Sequence, residues 1–186
     1  MFVSMNWIQE YVDLSGEDIE SLIKRFTLST AEVEDIIYKG KEVQGVIIAE
    51  IKSVENHPNS KKLHLLKVDT GSGIVDCVCG APNVEVGQRV AFAPVGSHVV
   101  GMEITEATVA GFVSQGMCCG EDELGISDDH TGLMVIDSDA PLGTDIKSIY
   151  AIDDIIFEVD NKSLTNRPDL WGHYGIAREF AVIANK

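Results

Sequence analysis

The feature that most constrains the fold of this chain is a series of short apolar runs between residues 43 and 113, separated by turn residues. Such runs, rich in Val and Ile, are typical of strands, and the Gly, Pro and Asn residues between them permit tight turns. Their spacing of about 8 to 20 residues favours a small closed barrel over βαβ units, with the OB fold as the leading candidate. We predict strands at residues 43–54, 62–69, 73–79, 89–95 and 104–113.

The segment before these runs has a helical pattern. Apolar residues recur at helical spacing twice within the first 30 residues, which predicts two helices that pack inward. Ser15 lies three residues before Asp18, and this capping-box-like pattern predicts the start of the second helix, because a serine oxygen can accept free backbone N–H groups there. The apolar positions are Met5, Ile8 and Val12 for the first helix, and Ile19, Leu22, Ile23 and Phe26 for the second.

The pattern changes again after about residue 141. We predict a strand at residues 153–159, a polar loop at 161–169 and a final amphipathic helix. That helix would run through Leu170, Tyr174, Ala177 and Ala181. A barrel bracketed by such segments indicates an insertion. The predicted fold class is α+β with an all-β insert, in which an OB-fold β-barrel of residues 40–151 is inserted into a small discontinuous α+β domain of residues 1–39 plus 152–186.

Hydropathy excludes a membrane protein and a secreted one. The chain of 186 residues has no run of 18 or more apolar positions, which a membrane-spanning helix would need. Its first residues lack the basic segment and the apolar stretch of a signal peptide. We therefore expect a cytoplasmic protein with no membrane partner.

The four cysteines occur as Cys77-x-Cys79 and as the adjacent pair Cys118-Cys119. These spacings fit neither a disulfide framework nor the Cys-x-x-Cys pairs of zinc ribbons. We interpret the cysteines as small apolar residues of a cytosolic protein, where thiols stay reduced, and a zinc site is the disfavoured alternative.

The net charge of −16 argues against a broad nucleic-acid-binding surface, since proteins that bind phosphates normally present a basic face. Any contact with RNA must be local. Four lysines do cluster between residues 52 and 67, where Glu55 is the one acidic residue. A merely solvated strand and turn surface is the alternative interpretation of this group, which comprises Lys52, Lys61, Lys62 and Lys67.

Motifs for catalysis and nucleotide binding are missing from the sequence. There is no phosphate-binding Gly-x-x-x-x-Gly-Lys-Ser/Thr loop and no Gly-x-Gly-x-x-Gly after a strand. The five histidines are scattered singly, and no serine or cysteine lies in a nucleophile elbow. We expect no catalytic residue, no metal ligand and no cofactor in this chain.

Four segments resemble a known family. Residues 56–71, 79–97 and 111–126 resemble the tRNA-binding domain shared by phenylalanyl-tRNA synthetase β subunits, some methionyl-tRNA synthetases and small stand-alone tRNA-binding proteins. Residues 163–179, with the motif Asn-Arg-Pro-Asp, resemble the continuation beyond the barrel in the bacterial β subunit, and residues 5–14 resemble its opening helix. The resemblance covers nearly the whole chain and indicates the N-terminal part of that subunit.

This resemblance implies an OB barrel that binds tRNA, within a phenylalanine–tRNA ligase that attaches phenylalanine to its tRNA. The family implies an α2β2 assembly in which the α subunit holds the active site, with ATP and Mg²⁺ serving the whole enzyme. A stand-alone OB-fold tRNA-binding module is one alternative. A protein-assembly barrel that makes contacts through Phe92, Val95 and Val99 is another.

Matching positions imply a tRNA-binding site. Lys62 and Lys67 are the candidates for phosphate contact, and Arg89 extends their face. Lys61 stands where the family more often has an acidic residue, which favours RNA contact here, and Gly120 stands where serine is common. The predicted tRNA-binding residues are Lys52, Asn56, His57, Lys61, Lys62, Lys67, Arg89, Ser114 and Met117.

Overall fold

The computed structural model describes residues 1–186 as two compact units. Met1–Lys39 and Asp153–Lys186 form the first unit, and Gly40–Ile152 form the second, called the barrel unit here. None of the helices is long and apolar enough to cross a membrane.

The chain forms twelve strands, three α-helices and three short 3₁₀ helices. In chain order the strands are β1 Phe2–Ser4, β2 Val33–Lys39, β3 Ile47–Asn56, β4 His64–Asp69, β5 Ile74–Cys79, β6 Arg89–Pro94, β7 His98–Val99, β8 Met102–Glu103, β9 Ala107–Val109, β10 Phe112–Ser114, β11 Gly116–Cys118 and β12 Asp154–Val159. The helices are α1 Met5–Gln9, α2 Ile19–Ser29 and α3 His173–Ala184, with 3₁₀ helices at Ile146–Ser148, Asn161–Leu164 and Pro168–Leu170.

The first unit is built on a three-stranded antiparallel sheet in which β12 lies between β1 and β2. Buried side chains of β12 and of the three α-helices form its core. Phe26 of α2 stacks on Phe180 of α3 with ring centroids 5.2 Å apart, and Phe157 of β12 packs 5.7 Å from Phe180. The strand predicted at residues 153–159 and the final helix are confirmed, but α3 begins at His173, so Leu170 lies before it in a 3₁₀ helix. The predicted loop at 161–169 contains two short 3₁₀ helices, and β1 and β2 were not predicted.

The two predicted N-terminal helices are confirmed by α1 and α2, but α1 ends at Gln9, before Val12, and the predicted start of α2 is wrong. The N-cap of α2 is Asp18, whose side chain accepts a hydrogen bond from the N–H of Ser21 at 3.4 Å. The hydroxyl of Ser15 donates instead to the carboxylate of Asp13. Because the Ser15 hydroxyl is hydrogen-bonded to Asp13, it does not cap α2. The carboxylate of Asp18 accepts the free N–H group at the start of this helix instead.

The barrel unit contains a five-stranded antiparallel sheet with the strand order β11-β6-β3-β4-β5. The sheet curls so that its outer strands, β5 and β11, approach each other. At this closure the N–H of Gln115, just before β11, donates to the carbonyl of Asp76 in β5 at 2.8 Å. The N–H of Val78 also donates to the hydroxyl of Ser114 at 3.0 Å. The result is a nearly closed five-stranded antiparallel barrel, which confirms the predicted barrel and its first four strands.

The fifth predicted strand, at residues 104–113, is wrong. Ala110 and Gly111 have φ angles of 50° and 93°, so the chain reverses there and β9 pairs with β10 as a hairpin. The fifth strand of the barrel is β11, which pairs with β6. The apolar residues continue through this turn, so the hydropathy pattern of residues 104–113 gives no sign that the chain reverses direction there.

Two apolar clusters fill the barrel unit. One surrounds Phe92 and includes Cys77, Cys79 and Cys118. The other contains Cys119 and side chains from β3 and β6. All four cysteines are buried and none forms a disulfide, as expected for small apolar residues of the core.

The two ends of the barrel unit are joined by hydrogen bonds. The N–H of Ile146 donates to the carbonyl of Val46 at 3.0 Å. The ammonium group of Lys147 donates to the carbonyl of Gly40 at 2.8 Å. The first and last segments of this unit therefore lie side by side.

Candidate nucleic-acid interface

The loop between β3 and β4, residues 57–63, is held by its own hydrogen bonds. The N–H of His57 donates to the carbonyl of Leu63 at 3.0 Å, and the ring Nδ1 of His57 accepts from the N–H of Asn59 at 3.1 Å. The hydroxyl of Ser60 accepts from the N–H groups of Lys62 and Leu63. These bonds fix the backbone that carries the exposed side chains of the two adjacent lysines.

The predicted cations differ in their availability. Neither Lys61 nor Lys62 forms an ion pair, so both ammonium groups are free to bind an anion. The ammonium of Lys52 on β3 lies 2.8 Å from a carboxylate oxygen of Glu50. On β4, the ammonium of Lys67 lies 2.8 Å from a carboxylate oxygen of Asp76 on β5. Phosphate contact at Lys52 or Lys67 would therefore have to displace a carboxylate.

Hydrogen bonds to these carboxylates raise the pKa of both paired lysines, with Glu50 acting on Lys52 and Asp76 on Lys67. The four side chains are exposed enough that such pairs contribute little to stability. Their main effect is to neutralise the two lysines locally. The loop lysines therefore provide most of the available positive charge on this side of the barrel.

His57 anchors the loop to the β9–β10 hairpin. Its side chain is only 3% exposed, and its ring packs edge-on against Phe112 of β10 with centroids 4.9 Å apart. The Nε2 atom is buried without a hydrogen-bond partner. With so little accessible surface, His57 positions the loop and offers no open surface to RNA in this conformation.

A groove of about 270 Å³ lies beside this anchor. Its wall includes Phe112, which is 37% exposed, and other apolar side chains from β4, β5 and β10. Exposed aromatic rings next to apolar surface can stack unpaired nucleobases. Sequence reasoning missed Phe112 because its run was assigned to one continuous strand. The lining residues are Ser53, Glu55, Leu65, Leu66, Lys67, Asp76, Cys77, Val78, Phe112 and Val113.

The structure brings Asn56, at the exposed end of β3, together with His57, Lys61 and Lys62, but three other predicted residues lie elsewhere with internal contacts. Arg89 of β6 donates to the backbone carbonyls of Ser138 and Ala140, the latter at 2.8 Å. Ser114 is buried, and Met117 is half-buried against the second apolar cluster. Their roles in tRNA binding stay predictions.

The apolar residues proposed for a protein-assembly surface do not share an exposed face. Phe92 is fully buried in the barrel and Val99 is 2% exposed, whereas Val95 is 50% exposed. Phe92 and Val99 belong to the core because their strands turn them inward. This set of residues therefore cannot form the assembly surface that the sequence suggested.

Ser114 links β10 to β5, since its hydroxyl accepts from the N–H of Val78 and donates to the carbonyl of Gly116 at 2.9 Å. We expect Ser114→Ala to lower the free energy of unfolding by about 1–3 kcal/mol, because the partly buried N–H of Val78 and the carbonyl of Gly116 both lose their partner. Urea unfolding followed by circular dichroism measures this change. Ser53→Ala is the matched control, since the Ser53 hydroxyl lies on β3 without a hydrogen bond, and an equal loss in both variants would contradict the linking role.

The second unit is thus a small, nearly closed antiparallel β-barrel whose β3–β4 loop carries two exposed lysines. A family described as "Putative tRNA binding domain" matches residues 46–145 of this chain, which is more than half of its length. The chain belongs to this family.

Curated relatives match both units of the chain. The phenylalanine–tRNA ligase beta subunit of Leptospira interrogans is 38% identical over 183 residues, which is 97% of this chain and 23% of the relative. The beta subunit of Salinibacter ruber is 38% identical over 203 residues, covering 100% of this chain and 24% of the relative. The chain thus spans about a quarter of the length of these relatives. Among solved structures, a MetRS related protein from Pyrococcus horikoshii is 17% identical with a TM-score of 0.40, covering 70% of this chain and 97% of its own.

Proposed function

We propose that this chain is the N-terminal region of a phenylalanine–tRNA ligase β subunit and that its barrel binds tRNA. The observation that carries the proposal is the extent of the similarity. The beta-subunit relatives align over 97% to 100% of the chain, and therefore over the first unit as well as the barrel. A stand-alone tRNA-binding barrel would have no counterpart for the first unit.

The proposed domain arrangement is an OB-fold barrel inserted into a discontinuous α+β domain. Two features support it. The sheet of the first unit pairs β12 with β1 and β2, which precede the barrel in sequence. The barrel unit has its own apolar clusters and its own strand order. An OB fold is a small barrel of five strands, and the barrel unit has five antiparallel strands in a nearly closed barrel.

In the proposed mode of binding, Lys61 and Lys62 contact phosphates while an unstacked base enters the groove beside Phe112. The loop lysines act first, since electrostatic attraction to phosphate is long-ranged and releases counterions. Stacking on the exposed ring adds affinity that does not depend on base identity. Because loops and ends of RNA expose such bases, a folded tRNA fits this surface better than a continuous duplex.

The charge of the barrel unit limits this affinity. Residues 40–152 contain sixteen Asp and Glu residues against seven Lys and Arg residues. The acidic side chains of the barrel unit would therefore repel tRNA phosphates that lie away from the β3–β4 loop. We propose that the barrel makes a short, local contact with tRNA and that the other domains of the β subunit provide most of the affinity.

The proposed whole enzyme attaches phenylalanine to its tRNA with ATP and Mg²⁺, together with an α subunit, in the cytoplasm. In this assignment the present chain contributes RNA contact and no catalytic residue. Coexpression of the complete gene product with an α subunit, followed by a phenylalanylation assay, tests the assignment. A complete gene product that neither associates with an α subunit nor supports phenylalanylation would contradict it.

Binding to tRNA is tested by titrating labelled tRNA with the purified chain at several salt concentrations. We expect saturable binding whose log K falls linearly with log salt, with a slope near −1.5 for about two phosphate contacts. Double-stranded DNA of similar length is the comparison ligand and should bind more weakly. An absence of saturable binding at low salt would overturn tRNA binding by this region alone.

A further inference from the structure

Three thiols meet where the barrel closes. Cys77 and Cys79 lie on the inward side of β5, and Cys118 lies at the end of β11. At this closure the N–H of Gln115 donates to the carbonyl of Asp76, and the thiol of Cys77 donates to the carbonyl of Gly116 at 3.5 Å. Cys77, Cys79 and Cys118 belong to one apolar cluster there. Cys119 is separate, because its side chain belongs to the other apolar cluster.

Two of these thiols also line an open pocket of about 350 Å³. Cys79 and Cys118 form part of its wall, together with Met117, Glu123 and His130. Each of the two cysteines keeps a small exposed fraction, 7% for Cys79 and 8% for Cys118. Cys77 and Cys119 do not line this pocket. A small molecule in the pocket would therefore meet Cys79 and Cys118 first.

The surroundings of the pair favour a thiolate on Cys79. The hydrogen bond from Cys118 and the N–H of Ala81, which lies 3.4 Å from Sγ, lower the pKa of Cys79 to about 7. The pKa of Cys118 is raised well above its ordinary value, because its proton is held by the thiols of Cys77 and Cys79. Thiolates, not thiols, attack electrophiles, so Cys79 is the nucleophile of the pair.

We propose that Cys79 and Cys118 are a peroxide-reactive pair that forms a reversible disulfide across the closure of the barrel. Hydrogen peroxide or an organic hydroperoxide is the oxidant, and its approach is through the pocket that both cysteines line. Both side chains belong to the apolar cluster around Phe92 and line the same pocket. This site is independent of the loop that carries Lys61 and Lys62.

The reaction proceeds in two balanced steps. In the first, the Cys79 thiolate attacks one peroxide oxygen, a sulfur–oxygen bond forms, the oxygen–oxygen bond breaks, and the departing hydroxide takes a proton to become water. In the second, the Cys118 sulfur attacks the sulfenic acid of Cys79. A disulfide forms, the sulfur–oxygen bond breaks, and hydroxide leaves with the Cys118 proton as water. Two thiols lose two electrons and one peroxide becomes two waters.

The disulfide would join β5 to β11 at the edge where the N–H of Gln115 donates to the carbonyl of Asp76 and the thiol of Cys77 to the carbonyl of Gly116. A crosslink between residues far apart in sequence restricts the unfolded chain more than the folded one. The oxidised barrel should therefore unfold at a higher temperature than the reduced barrel. Reductants would reverse the change, since the bond lies at the wall of an open pocket.

The test uses the purified chain, fully reduced, and then treated with hydrogen peroxide. We expect two of the four free thiols to disappear, the mass to fall by about 2 Da, and peptide mapping to find a Cys79–Cys118 link. A sulfenic-acid probe should label Cys79 transiently. A link through Cys77 or Cys119, or a product that is only an intermolecular dimer, would overturn the assignment of the pair.

Serine variants separate the two roles. Cys118→Ser should keep the sulfenic-acid label on Cys79 but form no intramolecular disulfide, whereas Cys79→Ser should lose both. Cys119→Ser is the matched control and should react as the unaltered chain does. Near-ultraviolet circular dichroism checks that each variant keeps its fold. If a variant does not fold, the mapping of the unaltered chain still decides the proposal, because absence of the link there overturns it.

Discussion

Replacement of both loop lysines by glutamate, Lys61→Glu with Lys62→Glu, will weaken tRNA binding about tenfold or more at low salt and reduce the magnitude of the salt slope by about 1.5, to near zero. The reason is that these two ammonium groups are exposed and unpaired on a loop held in place by His57 and Ser60. Each phosphate contact that is lost removes one release of counterions. Fluorescence anisotropy with labelled tRNA at a series of salt concentrations measures both quantities.

The matched control makes the same change in charge on the first unit, with Lys24→Glu and Lys162→Glu. Both of these lysines are exposed and neither forms an ion pair. The control should lose little affinity and keep the salt slope. Equal losses in the two double variants would mean that net charge alone controls binding, and the loop would then have no special place in the interface.

Gly116→Ala will destabilise the barrel strongly, with a fall in the free energy of unfolding of about 3 kcal/mol. Gly116 begins β11 with a φ of 148°, and a Cβ there would lie 2.7 Å from the carbonyl oxygen of Ala93 and collide with the ring of Phe92. Both neighbours belong to β6, the partner strand, so neither can move without disturbing the sheet. Urea unfolding monitored by circular dichroism gives the free energy.

Gly73→Ala is the control for this substitution, since a Cβ at Gly73 meets no atom within 4 Å. A change of less than about 0.5 kcal/mol is expected there, as for other exposed substitutions. If Gly116→Ala proved equally mild, β6 and β11 would have to separate easily, and the closure of the barrel at that edge would be looser than described.

Apolar periodicity predicted the parts of the fold that depend on local pattern. Four barrel strands, β12 and the helices follow from it, because burial on one face imposes a regular spacing. It failed where a single backbone reversal decides the outcome, as at Ala110 and Gly111. It also missed β2, whose run Val33–Lys39 contains Glu34 and Asp35 and is largely exposed, so that its pairing with β12 left no clear apolar signal.

The sequence predicted where the candidate site lies, but it did not predict the contacts that each of its side chains makes. Lysine density pointed to the β3–β4 loop, yet nothing in the sequence shows that Lys67 of β4 lies directly opposite Asp76 on the neighbouring strand β5. The sequence also predicted Arg89 as an exposed cation, because its hydrogen-bond partners are distant in sequence. Its guanidinium donates to the carbonyls of Ser138 and Ala140, which lie about fifty residues away. Such pairings are set by register and turn geometry, which composition does not encode.

The hydrogen bonds between the two ends of the barrel unit have a consequence for how the chain can reach its native state. To pair β12 with β2, an unstructured chain must bring Lys39 and Asp154 together across more than a hundred residues. The logarithmic law for loop closure puts that entropic cost on the order of 4 kcal/mol. A barrel that has already formed holds Val46 beside Ile146, so most of this search is complete before β12 meets its partners. Early barrel formation would therefore ease assembly of a sheet whose strands are distant in sequence.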